Sequence, residues 1–330
     1  MVAGVITLSF LLLTALTACN RFGAPPENSA PPVMSGETAE DEAEVDATVA
    51  QTIATDGTHT ITGTVDGQIL VTAEEVTLIL DGATITCADG SAILGKDGHG
   101  ASVTQNLTVE LQGANTVSGS AHGIQGTDNL TVTGTGSADI TAGKDGLHAG
   151  DALTIQNGTI NVRESYEGIE AATVAITGGV TTIHASDDGI NAATDTGEVT
   201  PDVAISGGEV FVYSGSDGID SNGTLEITGG SVVIFIDAPQ DGDATDVERS
   251  GTIQPAVYGS GTIKAGTALS VGGVWSGTAE SGATAFFVCV PGLVSGQSYA
   301  ITADGGDFGN ATATTTIQGM MMGGGRGGKG

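Results

Sequence analysis

Ser186-Asp187-Asp188-Gly189-Ile190-Asn191-Ala192 is one copy of a phrase that the chain repeats, and the spacing of the copies decides the fold. The same acid-Gly-aliphatic pattern returns as Asp145-Gly146-Leu147, Glu167-Gly168-Ile169 and Asp217-Gly218-Ile219, with Asp97-Gly98 and His122-Gly123-Ile124 ahead of them. Their glycines stand 25, 23, 22, 21 and 29 residues apart. Between them runs a second phrase at 106–109, 129–132, 152–155, 173–176, 202–205 and 224–227, and a third short strand follows at 160–162, 181–183, 210–212 and 232–234. Each repeat thus holds three short alternating strands and three turns. Strands this short cannot hide an apolar side as hairpins, but stacked coil on coil, about 4.8 Å apart, they line one continuous core. A propeller blade needs about 40 residues, and a leucine-rich repeat shows regularly spaced Leu and Asn. The expectation is an all-β, right-handed parallel β-helix with coils of roughly 22 residues.

Alternation along each strand assigns the side chains to faces. In Asp188-Gly189-Ile190-Asn191-Ala192, Ile190 and Ala192 point inward while Asp188 and Asn191 point outward. The inward ladder is therefore Ile124, Leu147, Ile169, Ile190 and Ile219, with Ala149, Ala171, Ala192 and Ser221 beside it. The phrase glycines are expected to adopt turn geometry that a side chain would penalise.

Two outward columns carry the chemistry. One holds Asp145, Glu167, Asp188 and Asp217; the other, three residues on, holds His148, Glu170, Asn191 and Asp220. Carboxylates stacked about 5 Å apart repel by about 1 kcal/mol in water and about 3 kcal/mol at a shielded surface. Clustered hard oxygens on a rigid face suit Ca²⁺, which takes six to eight of them in loose geometry. Glu167, Glu170, Asp188, Asn191, Asp217 and Asp220 are the central candidate ligands, Asp145 opens the column, and Asp187, Ser216 and Asn222 are further donors. The alternative is an ordinary solvated acidic face. Bound calcium suggests a partner, since an acidic polysaccharide such as polygalacturonate can complete its coordination.

Composition narrows the classes. The chain has 330 residues, Lys+Arg 8 against Asp+Glu 39 and a net charge of −31, which excludes nucleic acid as a partner. With 54 Gly and 4% aromatics it cannot form amphipathic helix bundles. Residues 1–19 read as a lipoprotein signal ending at Cys19, the expected lipidation site, and 20–50 as an acidic, Pro-rich tether. The β-helix is expected over 51–261, an irregular β cap over 262–319 and a disordered Gly/Met tail over 320–330. Localisation would be exported and anchored to the cell envelope by lipid alone, as a monomer. Cys87 and Cys289 read as buried free thiols.

The stretches Glu164-Ser165-Tyr166-Glu167-Gly168-Ile169-Glu170, Ser186 to Asn191 and Ser216 to Gly223 resemble a bacterial carbohydrate-binding β-helix family of exported lipoproteins. The resemblance spans about 52–305. It includes the opening strand Val76 to Ala83 and the closing Pro291 to Tyr299. It implies calcium-binding β-helices that hold plant cell-wall polysaccharide, notably pectic acid, with cellulose as a further partner. The early coils depart from the pattern through His99, His122 and His148, which puts calcium there in doubt.

Many β-helices are pectic lyases or polygalacturonases, so catalysis is weighed too. A lyase needs a strong base, and Arg163, Lys96 and Lys144 are the candidates; a hydrolase needs paired carboxylates. Scarce basic residues argue for non-catalytic binding, and a structural surface adhesin with no sugar preference is the third reading. Tyr166, His148 and His184 are the candidates to touch sugar, while the five histidines show no metal spacing and Trp275 reads as core of the C-terminal part. The run Asp237 to Glu248 reads as a bulge in one coil.

Overall fold

The computed structural model describes residues 47–96, 104–194, 199–237 and 242–317. Cys19, the tether to residue 46, Asp97 to His99 and the Gly/Met tail lie outside the described residues. Every regular element among those described is a strand, and the parallel strands wind into a solenoid of about eight turns.

The first face stacks Gln68–Val71, Ile93–Gly95, Ile124–Gly126, the starts of Leu147–Ile155 and Ile169–Ile176, Ile190–Ala192, Ile219–Ser221 and Asp246–Val247. Its register is unbroken: Ile124, Leu147, Ile169, Ile190 and Ile219 pair in sequence, as do Ala149, Ala171, Ala192 and Ser221. The 29-residue spacing between Gly189 and Gly218 therefore costs no register, because pairing holds through Ala192 and again at Asp202–Ile205. The second and third faces repeat this arrangement, for example with Val174 on Val203 and Ile183 on Val212.

The inward ladder is fully buried, with Leu147, Ile169, Ile190 and Ile219 all at 0% exposure. Each such aliphatic side chain contributes about 1.5–3 kcal/mol, so stability comes from many equivalent layers. Cys87 and Cys289 are both buried and free, and burial pushes the Cys289 thiol up to about 12.

The phrase glycines are required for a different reason from the one expected. None of Gly146, Gly168, Gly189 or Gly218 has a positive φ. A Cβ on Gly189 would instead lie 2.2 Å from Val212 Cγ1 and 2.6 Å from the Gly218 carbonyl oxygen one coil on. Close approach across the corner excludes the side chain. Left-handed geometry belongs to the turn between the second and third faces, where Gly179 has φ +79°.

The C-terminal part does more than cover an end. Ala283–Cys289 pairs antiparallel with Ser231–Ile236 on one side and with Ala256–Ile263 on the other, so one reversed strand is inserted into the third face. Ala256, Phe287, Cys289 and Ile317 join the main core. A four-stranded antiparallel sheet of Trp275–Thr278, Ala268–Val271, Ser298–Ala303 and Gly306–Thr312 adds a second core. That core includes the outward Tyr213, Val233 and Phe235 of the third face, with Phe286, Val288 and Tyr299, and Trp275 packs against it.

Candidate functional site

The corner where the third face turns into the first carries the two polar columns. Stacking is set by backbone bonds: the N–H of Gly123, Gly146, Gly168, Gly189 and Gly218 donate to the carbonyls of Asp145, Glu167, Asp188, Asp217 and Asp243. The first column thus reads His122, Asp145, Glu167, Asp188, Asp217 and Asp243. The second reads Gln125, His148, Glu170, Asn191, Asp220 and Asp246, each paired with the next.

Asp243 and Asp246 extend both columns by one coil. At the end of the run expected as a bulge, Asp246 pairs with Asp220 and Val247 with Ser221, in the register of every coil before it. The Asp243 backbone N–H donates to Asp217 Oδ1. A signal for this pair exists in the sequence, since Asp243 and Asp246 keep the three-residue offset of Asp217 and Asp220.

The columns are less outward than alternation implies. Asp145 is 3% exposed and Asp188 9%, because these residues sit in the corner rather than on the flat of a strand. Two carboxylate groups converge with oxygens within 4.8 Å of one another: Asp145, Glu167 and Glu170; and Asp188, Asp217 and Asp220. Burial, followed by the charge of Glu170, pushes Glu167 up to about 9. Burial and the surrounding acids push Asp217 and Asp220 up to about 7 and also raise Asp188 and Asp243. The Asp188 carboxylate accepts the Asp217 backbone N–H at 2.8 Å, and Ser216 also hydrogen-bonds to it.

These residues fit a hard divalent cation. Glu167 Oε2, Asn191 Oδ1 and Asp246 Oδ1 are buried and have no hydrogen-bond partner, although Asn191 Nδ2 donates to Glu167 Oε1 at 3.1 Å. Stranding a buried polar oxygen costs about 1–3 kcal/mol, more for a charge. Stranded oxygens of this kind beside carboxylates that repel one another could hold a metal ion, and hard oxygen donors suit a hard one. Asp187 is half-buried beside the first column, with its N–H bonded to the Tyr166 carbonyl at 2.9 Å. Asn222 lies past Ser221, at the opposite end of the first-face strand from Asp217, and outside both groups.

The start of the columns differs in kind. His122 Nδ1 lies 3.0 Å and His148 Nδ1 2.9 Å from the same Asp145 Oδ2, and His148 Nδ1 is 3.4 Å from Glu170 Oε2. Residues 26 apart in sequence meet because one coil separates them, a relation that local metal spacing cannot reveal. Burial opposes ionisation of both groups. Hydrogen bonds to the two histidines outweigh it for Asp145, holding that carboxyl well below the usual range. Bonds to Asp145 and Glu170 push His148 up to about 9.

The candidate sugar contacts separate. Tyr166 is 45% exposed, immediately before Glu167. His148 is held by the acids described above. His184 heads a stack on the third face, with Tyr213 at 4.6 Å and Phe235 at a further 5.2 Å between ring centroids. A groove of about 380 Å³ runs past it, lined by Arg163, Ser165, Ser186, Tyr213 and Ser281 among others. Arg163 pairs with Asp139 at 2.9 Å, so this candidate base is engaged away from the carboxylate groups.

The comparisons with known proteins agree with this architecture. The solved structure of a polysaccharide lyase-like protein from C. thermocellum, a gadolinium derivative, is similar in fold with a TM-score of 0.54 and 24% identity. The match covers 63% of this chain and 90% of that one. No curated protein matches the chain. A family model described as carbohydrate-binding domain-containing protein matches residues 46–279, which is most of the solenoid and the columns on its corner. The chain therefore belongs to the carbohydrate-binding domain-containing protein family.

Proposed function

We propose that the chain is a non-catalytic, calcium-dependent binder of acidic polysaccharide of the pectic-acid kind. The observation that carries this is the set of stranded, buried oxygens on Glu167, Asn191 and Asp246 among the in-register carboxylates Asp188, Asp217 and Asp220. Calcium would be held by these oxygens and would supply a charge bridge to the uronate carboxylates of the polymer. The chain's own part is to fix the ladder, exclude a flexible response and present Tyr166 beside it for stacking on a sugar ring. Repetition along a rigid corner turns weak contacts into avidity, because each bound unit holds the next at high effective concentration.

Two further features support binding over catalysis. The chain holds 8 Lys+Arg against 39 Asp+Glu, and Arg163 is paired with Asp139, whereas elimination from a uronate builds an anion that needs positive charge. The groove at His184 offers hydroxyls and a ring face to sugar, and it suits a second, neutral stretch of polymer such as cellulose. Export and a lipid anchor at Cys19 would place the corner outside the cell, where such polymers occur.

The test is binding of the purified protein to polygalacturonate in calcium and then in chelator. Binding that falls at least 100-fold in chelator, with no unsaturated product, is expected. Equal binding in both conditions removes the ion bridge. Calcium-dependent release of unsaturated ends makes the protein a lyase instead.

A further inference from the structure

The two ends of the columns present different donor atoms, and the difference points to a second kind of ion. At the carboxylate end every converging atom is oxygen. At the other end two imidazole nitrogens converge on Asp145 Oδ2, with ligand atoms of His122, Asp145 and His148 all within 4.8 Å. The site is shielded: the side chains of His122, His148 and Asp145 are 12%, 24% and 5% exposed. Their rings lie 4.6 Å apart and tilted by 40°, so the two nitrogens approach the carboxylate from adjacent coils rather than stacking past it.

Protons alone serve this cluster poorly. The backbone N–H of Asp145 lies 3.4 Å from His122 Nδ1, a contact that requires a lone pair on that nitrogen. The same Nδ1 is 3.0 Å from Asp145 Oδ2, so in that state two acceptors face each other. His148 Nδ1 must likewise divide one proton between Asp145 Oδ2 at 2.9 Å and Glu170 Oε2 at 3.4 Å. A cation in the centre would satisfy His122, Asp145 and His148 at once, with Glu170 beside His148. Tetrahedral coordination with bonds of about 2.0–2.2 Å places neighbouring ligand atoms about 3.3–3.5 Å apart. The nitrogen–oxygen separations of 2.9 and 3.0 Å need to open by about half an ångström to match.

We propose that His122, Asp145 and His148 form a binding site for a borderline first-row divalent cation of the zinc class, which leaves calcium to the oxygen-only end at Asp188, Asp217 and Asp220. Imidazole nitrogen selects zinc, nickel, cobalt or copper over calcium, whereas carboxylate and amide oxygens do the reverse. One solenoid corner would then hold two ion types in fixed order. The inference does not depend on any polysaccharide being bound.

The experiment uses the full chain saturated with calcium, titrated with Zn²⁺ by calorimetry and with Co²⁺ as a coloured substitute. The expected result is one Co²⁺ per chain with the intense visible absorption of a tetrahedral site, displaced by Zn²⁺. His122→Gln and His148→Gln should each weaken Zn²⁺ at least tenfold while leaving the calcium stoichiometry of the acidic end unchanged. A Co²⁺ spectrum of octahedral type in wild type, or Zn²⁺ affinity equal in wild type and both variants, overturns the proposal. Should either variant fail to fold, imidazole NMR of the wild type decides. Zn²⁺ must then shift His122 and His148 and leave His59 and His184 in place; the opposite pattern rejects the site.

Discussion

Asp145 and Asp217 occupy the same position in coils of the same register, yet their surroundings drive them in opposite directions. Asp145 is almost completely buried and stays ionised, because burial is outweighed by two imidazoles on one oxygen. Asp217 is less buried, yet burial pushes it up to about 7, because its neighbours Asp188, Asp246 and Asp243 add to that effect instead of opposing it. Burial raises both carboxylates, so the residues one coil above and below decide which of them stays charged. A solenoid corner is in effect a column of sites whose chemistry is chosen by vertical neighbours, not by those adjacent in sequence.

The largest expected break in this contrast is Asp145→Asn. Removing the carboxylate leaves imidazoles without their acceptor, and breaking a buried pair costs about 3–5 kcal/mol. With His122 and His148 partly exposed, the lower figure applies. Thermal unfolding should shift down by about 6–12 °C, at about 2–4 °C per kcal/mol for a chain of this size. An unchanged Tm would show that the pairing contributes nothing.

Asp217→Asn should act with the opposite sign in chelator. It removes one member of a self-repelling group, and the Tm should rise by about 2–4 °C, the equivalent of roughly 1 kcal/mol. In calcium the same variant should lower the Tm, because an ion ligand is gone. Calorimetry in both conditions checks the sign reversal, and a fall in both would mean that the acids do not repel.

The pH dependence sharpens the comparison next. Glu167 is raised from 4.5 to about 9, and Asp217 and Asp220 from 3.8 to about 7, so the folded state binds more protons than the unfolded one across that interval. His148, raised from 6.5 to about 9, adds the same sign between those values. Stability that is present at low pH is thus lost as pH rises through these folded-state values. Asp145 acts oppositely, but only below about pH 4, where an ordinary Asp begins to protonate. In chelator the Tm should fall steadily from pH 5 to pH 8, and calcium should flatten or invert the slope. A Tm that rises over this range without calcium contradicts the assignment.

The smallest effect belongs to Tyr166→Ala. Loss of one exposed ring beside the column should weaken polygalacturonate a few-fold in calcium, with no change in Tm, as measured by calorimetric titration and thermal unfolding. An unaltered affinity would remove Tyr166 from the sugar contact.

Much of this architecture can be read from the chain itself. The inward ladder from Ile124 to Ile219 follows from period and alternation, and so do the two acidic columns, because the three-residue offset survives from coil to coil. Asp243 and Asp246 escape a search for the phrase because Ala244 and Thr245 replace the glycine and the aliphatic residue. The pairing of His122 with His148 escapes because metal-site reasoning looks within a few residues, whereas a solenoid joins residues one coil apart. The packing of the C-terminal sheet on the third face does leave a trace. Val232-Val233-Ile234-Phe235-Ile236 is apolar at every position, and all five are buried, as a strand covered on both sides requires.

The reversed strand Ala283–Cys289 has a consequence for self-association. A stack of parallel coils is a template, since its final rung offers the same unsatisfied backbone groups as every rung before it. Here the reversed strand sits between Ser231–Ile236 and Ala256–Ile263, so past Ser231–Ile236 the third face no longer repeats the parallel rung. Beyond it, Ala256 already exchanges both backbone hydrogen bonds with Thr314. A second copy offering Val49–Ile53 as its first rung therefore meets an interrupted pattern on this face, whereas end-to-end growth into a fibre depends on a repeating one.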